Sequence, residues 1–317
     1  MNSKGTKFSQ IENIEEVVEF INSKKFNHMH YSYYTDIYSM DSILKNKCIW
    51  LSKLDDCNDK TEKENAGGNE NMFCLCWSAT YSENFPMWYM YGGISGEGAR
   101  LTIARKEFSK WIKEKGLTFY IWECNKEEKI EEIAPRNVRC EDILYISYDE
   151  ENRKYRLKHN NESNNNVFNE DDYTYIKENY AGFYKELPWF YEKEFRIMVE
   201  VDSDIAAKLN ERDSKYKLVL DINEYVYKAA EVMLGPESEI LDYDKYQGFK
   251  NFALAKIMAS KYIGKIKMNL LKRNRKSIIE QKKEWLYEEV AEEICQYTQK
   301  NSWCKAQSDK ENTEEVK

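Results

Sequence analysis

EFRIMVEV, Glu194–Val201, decides the fold. Phe195, Ile197, Val199 and Val201 fall on one side of an extended chain; Glu194, Arg196, Met198 and Glu200 fall on the other. That alternation is the period of a strand, not of a helix. MFCLCWSAT, Met72–Thr80, repeats it: Phe73, Leu75 and Trp77 face one way, Cys74, Cys76 and Ser78 the other. Ala99–Ala104 alternates as well, and further strands are predicted near 117–123, 142–149, 216–222 and 229–234.

Helices are predicted between these strands. Ile11–Lys24 has apolar residues at helical spacing with carboxylates between them. Thr35 or Asp36 can cap a helix whose buried stripe is Ile37, Met40, Ile43 and Leu44. Pro86 suits the first turn of a short helix that glycines end. A helix through Phe108, Trp111 and Ile112 stops at Gly116, another covers Asp171–Leu187, and long ones fill 245–262 and 276–300. Asp55–Asn71 reads as a loop, and KHNNESNNNVFNEDD as an exposed insert with little to bury.

Strands outnumber clean βαβ alternations, and the long helices come last. The expected fold is therefore α+β, a mixed, mostly antiparallel sheet core with flanking helices and a C-terminal helical segment. The main domain is expected over 1–240, C-terminal helices packed on it over 241–304, and a loose charged tail over 305–317.

Composition narrows the function. The net charge is -8, which argues against broad affinity for a nucleic-acid backbone but not against a local basic pocket. No run approaches the ~20 apolar residues of a membrane helix. The basic N-terminus has no apolar stretch after it, so a cytoplasmic protein with no membrane partner is expected. None of the eight cysteines forms a C-x-x-C pair. They read as small apolar residues in a reducing compartment, and the paired spacings of a zinc site are missing, so no metal ligand is assigned.

HMHYSYYT, His28–Thr35, places two of the three histidines beside Tyr31, Tyr33 and Tyr34. Either these rings form a half-buried strand whose hydroxyls reach water, or they line a pocket for a planar, sugar-linked ligand. Glu192, Glu194 and Arg196 are likewise either a charged strand face with a cross-strand ion pair or part of a site. Asn58, Asp59 and Glu62 read as turn residues, with a divalent metal as the alternative. There is no Gly-rich phosphate loop of the G-x-x-x-x-G-K-[ST] kind and no G-x-S-x-G.

The order of pieces resembles the bacterial DUF2971 family, a domain of unassigned function. The residues that carry the likeness are Tyr33, Tyr34 and Thr35, then Ile43 and Leu44, then Trp50, Leu51 and Ser52. Asn58, Asp59 and Glu62 follow, then Trp77 and Ser78, then Met87, Trp88 and Tyr91. Lys185, Trp189, Glu192, Glu194 and Arg196 come next, and Val232, Leu234, Gly235 and Pro236 close the series. The likeness spans roughly residues 28–240. Family members often carry a His where this chain has Tyr33; His30 is expected to point the same way.

A second resemblance supplies an activity. The element order is similar to ADP-ribosyltransferases of the DNA-modifying toxin and RNA 2′-phosphotransferase type, where a catalytic Glu follows on a late strand. It implies an enzyme that uses NAD as substrate, a bacterial toxin or phage-defence effector, with a nucleic-acid or protein acceptor. It implies Glu194, Tyr33 and His30 as catalytic residues. Glu194 would hold the ribose and stabilise positive charge on it; Tyr33 or His30 would position the adenosine ribose. Tyr34, Thr35, Trp50, Ser52, Trp77, Ser78, Trp88 and Tyr91 would bind the dinucleotide, and Arg196 a phosphate. Two alternatives stay open: a non-catalytic module that binds a nucleotide or nucleic-acid base, and a metal-dependent nuclease using Asp59 and Glu62.

Overall fold

The computed structural model describes the chain over 11–235, except residues 12, 25, 60–69, 81–83, 94–97, 160–161, 164–166 and 212–213, together with the strand at 265–267. The long helices predicted at 245–262 and 276–300 and the tail lie outside the described residues. The described part is α+β, with mostly antiparallel sheets and no closed barrel. It divides into two units, one made of 1–33, 48–81 and 103–223, the other of 34–47, 82–102 and 224–317.

Three sheets build the first unit. The central one runs β1 (His30–Thr35, of which His30–Tyr33 belong to this unit), β4 (Met72–Ser78), β13 (Glu194–Glu200) and β8 (Asn137–Asp142), with β3 (Ser52–Lys53) also on β4. The second runs β11 (Glu162–Ser163), β10 (Lys154–His159), β9 (Leu144–Asp149) and β12 (Tyr184–Glu186). The third runs β2 (Cys48–Trp50), β14 (Tyr216–Asp221), β6 (Phe119–Glu123) and β7 (Glu128–Ile133).

EFRIMVEV is the spine of the central sheet, antiparallel to β4 on one side and to β8 on the other. Its register pairs Phe195 with Trp77, Arg196 with Cys76 and Glu194 with Ser78. Directly opposed residues share a face, so the sheet has an aromatic side and a side of serines, thiols and charges. The aromatic side packs under Phe108 and Trp111. Tyr31 stacks on Phe108 at 3.9 Å, and Trp77 and Phe195 meet the same ring edge-on at 5.1 and 5.5 Å. Phe108 lies on α4 (Arg105–Lys110), which runs into a π turn, Trp111–Lys115, that Gly116 ends at φ 76°. The other side lies under α1 (Ile14–Ser23), whose Ile14, Val17 and Ile21 join Cys74, Met198 and Tyr145 in one core cluster.

In the second unit, β5 (Ala99–Ala104) pairs with β15 (Glu231–Leu234), and β15 with β16 (Lys265–Lys267). α2 (Ile37–Asn46) begins at Asp36, whose carboxylate accepts from the amides of Tyr38 and Ser39. α3 (Phe85–Tyr91) has Pro86 in its first turn. Tyr227 of α7 (Glu224–Ala229) donates its hydroxyl to the Leu44 carbonyl of α2.

The expected helix over Asp171–Leu187 is shorter. α5 (Glu170–Asn179) ends early, Gly182 turns the chain at φ 75°, and β12 then leads into a 3-10 turn, Leu187–Glu192. The break falls at Tyr180–Gly182, where Gly182 takes the left-handed φ that L side chains rarely adopt; Pro188 opens the 3-10 turn that follows. The polar insert is shorter too, because β10 reaches into it as far as His159. β7, β8 and α6 (Ser203–Asn210) were not expected from the sequence pattern.

Candidate functional site

A buried charge cluster sits where β12, the 3-10 turn and β13 meet. Arg196 grips both oxygens of Glu194, Nε to Oε1 at 2.6 Å and Nη2 to Oε2 at 3.0 Å. Its third donor, Nη1, reaches the Gly182 carbonyl at 2.8 Å, which the left-handed turn at Gly182 presents. Lys185 Nζ lies between two carboxylates, 2.8 Å from Glu192 and 2.9 Å from Glu194. All four side chains are buried. Burial alone would raise the Glu194 carboxyl. The Arg196 guanidinium and the Lys185 ammonium outweigh it and hold Glu194 well below the usual carboxylate range.

Backbone and hydroxyl contacts fix the frame around this cluster. The Glu194 amide donates to the Tyr145 hydroxyl at 2.8 Å. Ser78 Oγ donates to the Glu192 carbonyl at 2.8 Å, and Ser32 Oγ to the Thr80 carbonyl at 3.0 Å. Ser32 is opposite Ser78, and Ser78 is opposite Glu194. The three form one row across three strands on the same face, about 10 Å from end to end at two strand spacings.

The candidate residues divide by face. His30 alternates with Tyr31 and shares the Ser32–Glu194 side. Tyr33 points away from it, 5.7 Å from Trp77 on the aromatic side. His30 and Tyr33 thus do not point the same way, because three positions along a strand reverse the face. Trp77 is 0 % exposed and enclosed by Tyr33, Phe108 and Trp111, which leaves no ring face for a nicotinamide. Arg196 is also fully buried, with Nε, Nη1 and Nη2 all engaged within the protein, so its fork is not open to a phosphate.

The remaining candidates lie elsewhere. Trp50 is exposed at 43 % on β2 of the third sheet, and Ser52 is exposed on β3. Tyr34, Thr35, Trp88 and Tyr91 belong to the second unit. There Tyr34 meets the buried Trp88 edge-on at 5.0 Å, and Arg100 lies over both rings. Asp59 is buried; Glu62 lies outside the described residues.

Two features escaped the reading of the sequence. Asp142 bridges two histidines, His28 Nε2 at 2.8 Å and His159 Nε2 at 3.0 Å. Burial would raise its pKa, but the His159 and His28 hydrogen bonds prevail and bring it down to about 2. The signal was His159, an imidazole at the start of a stretch otherwise too polar to fold. The second feature is a row of half-buried rings on the 3-10 turn, Trp189, Phe190 and Tyr191. Lys185 lies over Trp189 at 5.5 Å, and Lys158 over Phe190 at 3.6 Å.

Compared with protein-family models, curated proteins and solved structures, the chain matches none of them.

Proposed function

We propose that this chain is an ADP-ribosyltransferase-like enzyme that takes NAD as substrate, with Glu194 as its central catalytic group. The observation that carries this reading is the row Ser32, Ser78 and Glu194. It joins the histidine-bearing strand to the late acidic strand across one intervening strand and on one face. Cleavage of the nicotinamide–ribose bond leaves positive charge on the ribose. A carboxylate that is already ionised stabilises that charge electrostatically as it develops. Lys185 and Arg196 keep Glu194 ionised; neither is poised to take a proton. His30 lies on the side of the sheet from which it can help orient the substrate, and Tyr33 and Trp77 have no direct role. Glu194 is 3 % exposed, so a substrate that reaches it displaces Lys185 or Arg196 from one carboxylate oxygen. The acceptor is a nucleic acid or a protein, and the setting a toxin or defence effector.

A second reading, a non-catalytic module for a nucleotide or nucleic-acid base, is favoured by the half-buried Trp189 and Tyr191 beside Lys185. Incubation with NAD separates the two. Release of nicotinamide supports the transferase. Saturable NAD binding with no release over hours contradicts it and favours the module.

A further inference from the structure

Outside the charge cluster, the described residues hold one group of side chains with the chemistry of a soft-metal site. Cys74 and Cys76 are two apart on β4 and point to the same face. Cys57 reaches them by a route that sequence spacing does not reveal. β3 pairs with β4, Ser52 opposite Cys74, and a single 3-10 turn, Leu54–Asp56, then folds the chain back over the strand. The Cys57 amide closes that turn on the Leu54 carbonyl.

The sulfur positions are those of a coordination site. Cys57 Sγ lies 3.5 Å from Cys74 Sγ, and Cys76 Sγ lies 4.0 Å from Cys74 Sγ. All three sulfurs are within 4.8 Å of one another. A tetrahedral zinc–thiolate centre with bonds of about 2.3 Å has sulfur–sulfur edges of about 3.8 Å. The observed pairs bracket that edge, so a cation can enter with small side-chain adjustments.

We propose that Cys57, Cys74 and Cys76 bind one zinc ion through three thiolates, with the fourth position left to an exogenous ligand. Binding is balanced by loss of three thiol protons to solvent, giving a centre of net charge −1. Hydrogen bonding among the thiols and burial raise all three cysteines, so the protons leave as the cation enters; the nearby Arg196 guanidinium opposes that rise and supplies compensating charge. Glu194 lies beside Cys76 but is not the fourth ligand, because Arg196 and Lys185 hold both of its oxygens. Cys57 and Cys76 are only partly buried, which leaves a way in for the ion. A site with an open position is the pattern of zinc centres that bind a further ligand, not of closed structural ones.

The test uses the full chain, purified under reducing conditions, stripped with a chelator and reloaded with Zn2+ or Cd2+. One zinc per chain is expected after removal of excess metal, and cadmium should give sulfur-to-metal charge-transfer absorption. Cys57→Ser, at a partly buried turn, should weaken zinc binding at least tenfold; Cys76→Ala should do the same. Cys124→Ser, in the turn between β6 and β7, should leave it unchanged. Fewer than about one zinc in ten chains with no cadmium band would overturn the site. Zinc retained at wild-type strength by both Cys57→Ser and Cys76→Ala would also overturn it, and would place the metal on other cysteines.

Discussion

Glu194 shows why a single residue's charge state has to be read from its neighbours. An isolated buried carboxylate would take up a proton. Here Arg196 gives it two hydrogen bonds and Lys185 a third contact, so it stays ionised in a buried site. Removing one partner of such a cluster leaves charge uncompensated, which costs more than the pair contributes. Lys185→Met should therefore destabilise the fold by about 3–5 kcal/mol, read as a lower midpoint in urea. Loss of less than about 1 kcal/mol would mean that Glu192 and Glu194 find other partners. At Asp142 the same reasoning gives a smaller value. Asp142→Asn replaces two charge-assisted hydrogen bonds and should cost about 2–3 kcal/mol.

Period-two alternation made the central strands legible. β4 and β13 each bury both faces differently, one under aromatic rings and one under α1 and the second sheet, and their sequences carry that difference openly. β7 was not legible. EKIEEI is an exposed edge strand held by backbone bonds to β6, and nothing in its side chains alternates. The candidate site was legible only in part. The sequence placed Glu194 and Ser78 on matching sides of their strands. It could not tell that Tyr33 and Trp77 would fill the opposite face, because a ring on a strand looks the same whether it lines a pocket or a core. Cys57 was hidden for another reason: a chain reversal brings it to Cys74, not a spacing along one element. The 3-10 turn offers its own prediction. If Trp189 stacks on a base, Trp189→Ala should weaken nucleotide binding by about 1–3 kcal/mol without changing the fold, measured by titration calorimetry. Unchanged affinity would remove the ring row from the binding surface.

For the molecule as a whole, the buried ionised carboxylates set the response to acid. Asp142 has a folded pKa of about 2 against an ordinary value of 3.8. A depressed carboxylate stabilises the fold fully above its unfolded pKa and loses that contribution as pH falls through the folded one. Glu194, also depressed, acts in the same direction. Stability should thus be level with respect to these two groups above about pH 5 and fall between about pH 4 and 2, Asp142 alone giving on the order of 2 kcal/mol. Urea midpoints at several pH values check this: the gap between wild type and Asp142→Asn should narrow as pH drops. A gap that stays constant down to pH 2 would mean that Asp142 is not ionised in the folded protein.

The proposed catalysis belongs to the serine–carboxylate side of the central sheet and not to its aromatic side. Nicotinamide release from NAD by the wild type, Glu194→Gln and Tyr33→Phe, each shown to be folded by its melting curve, tests it most directly. Glu194→Gln should lose about 10²–10³ in rate, and Tyr33→Phe should change it no more than about twofold. Equal rates in wild type and Glu194→Gln, or a collapse with Tyr33→Phe alone, would contradict it.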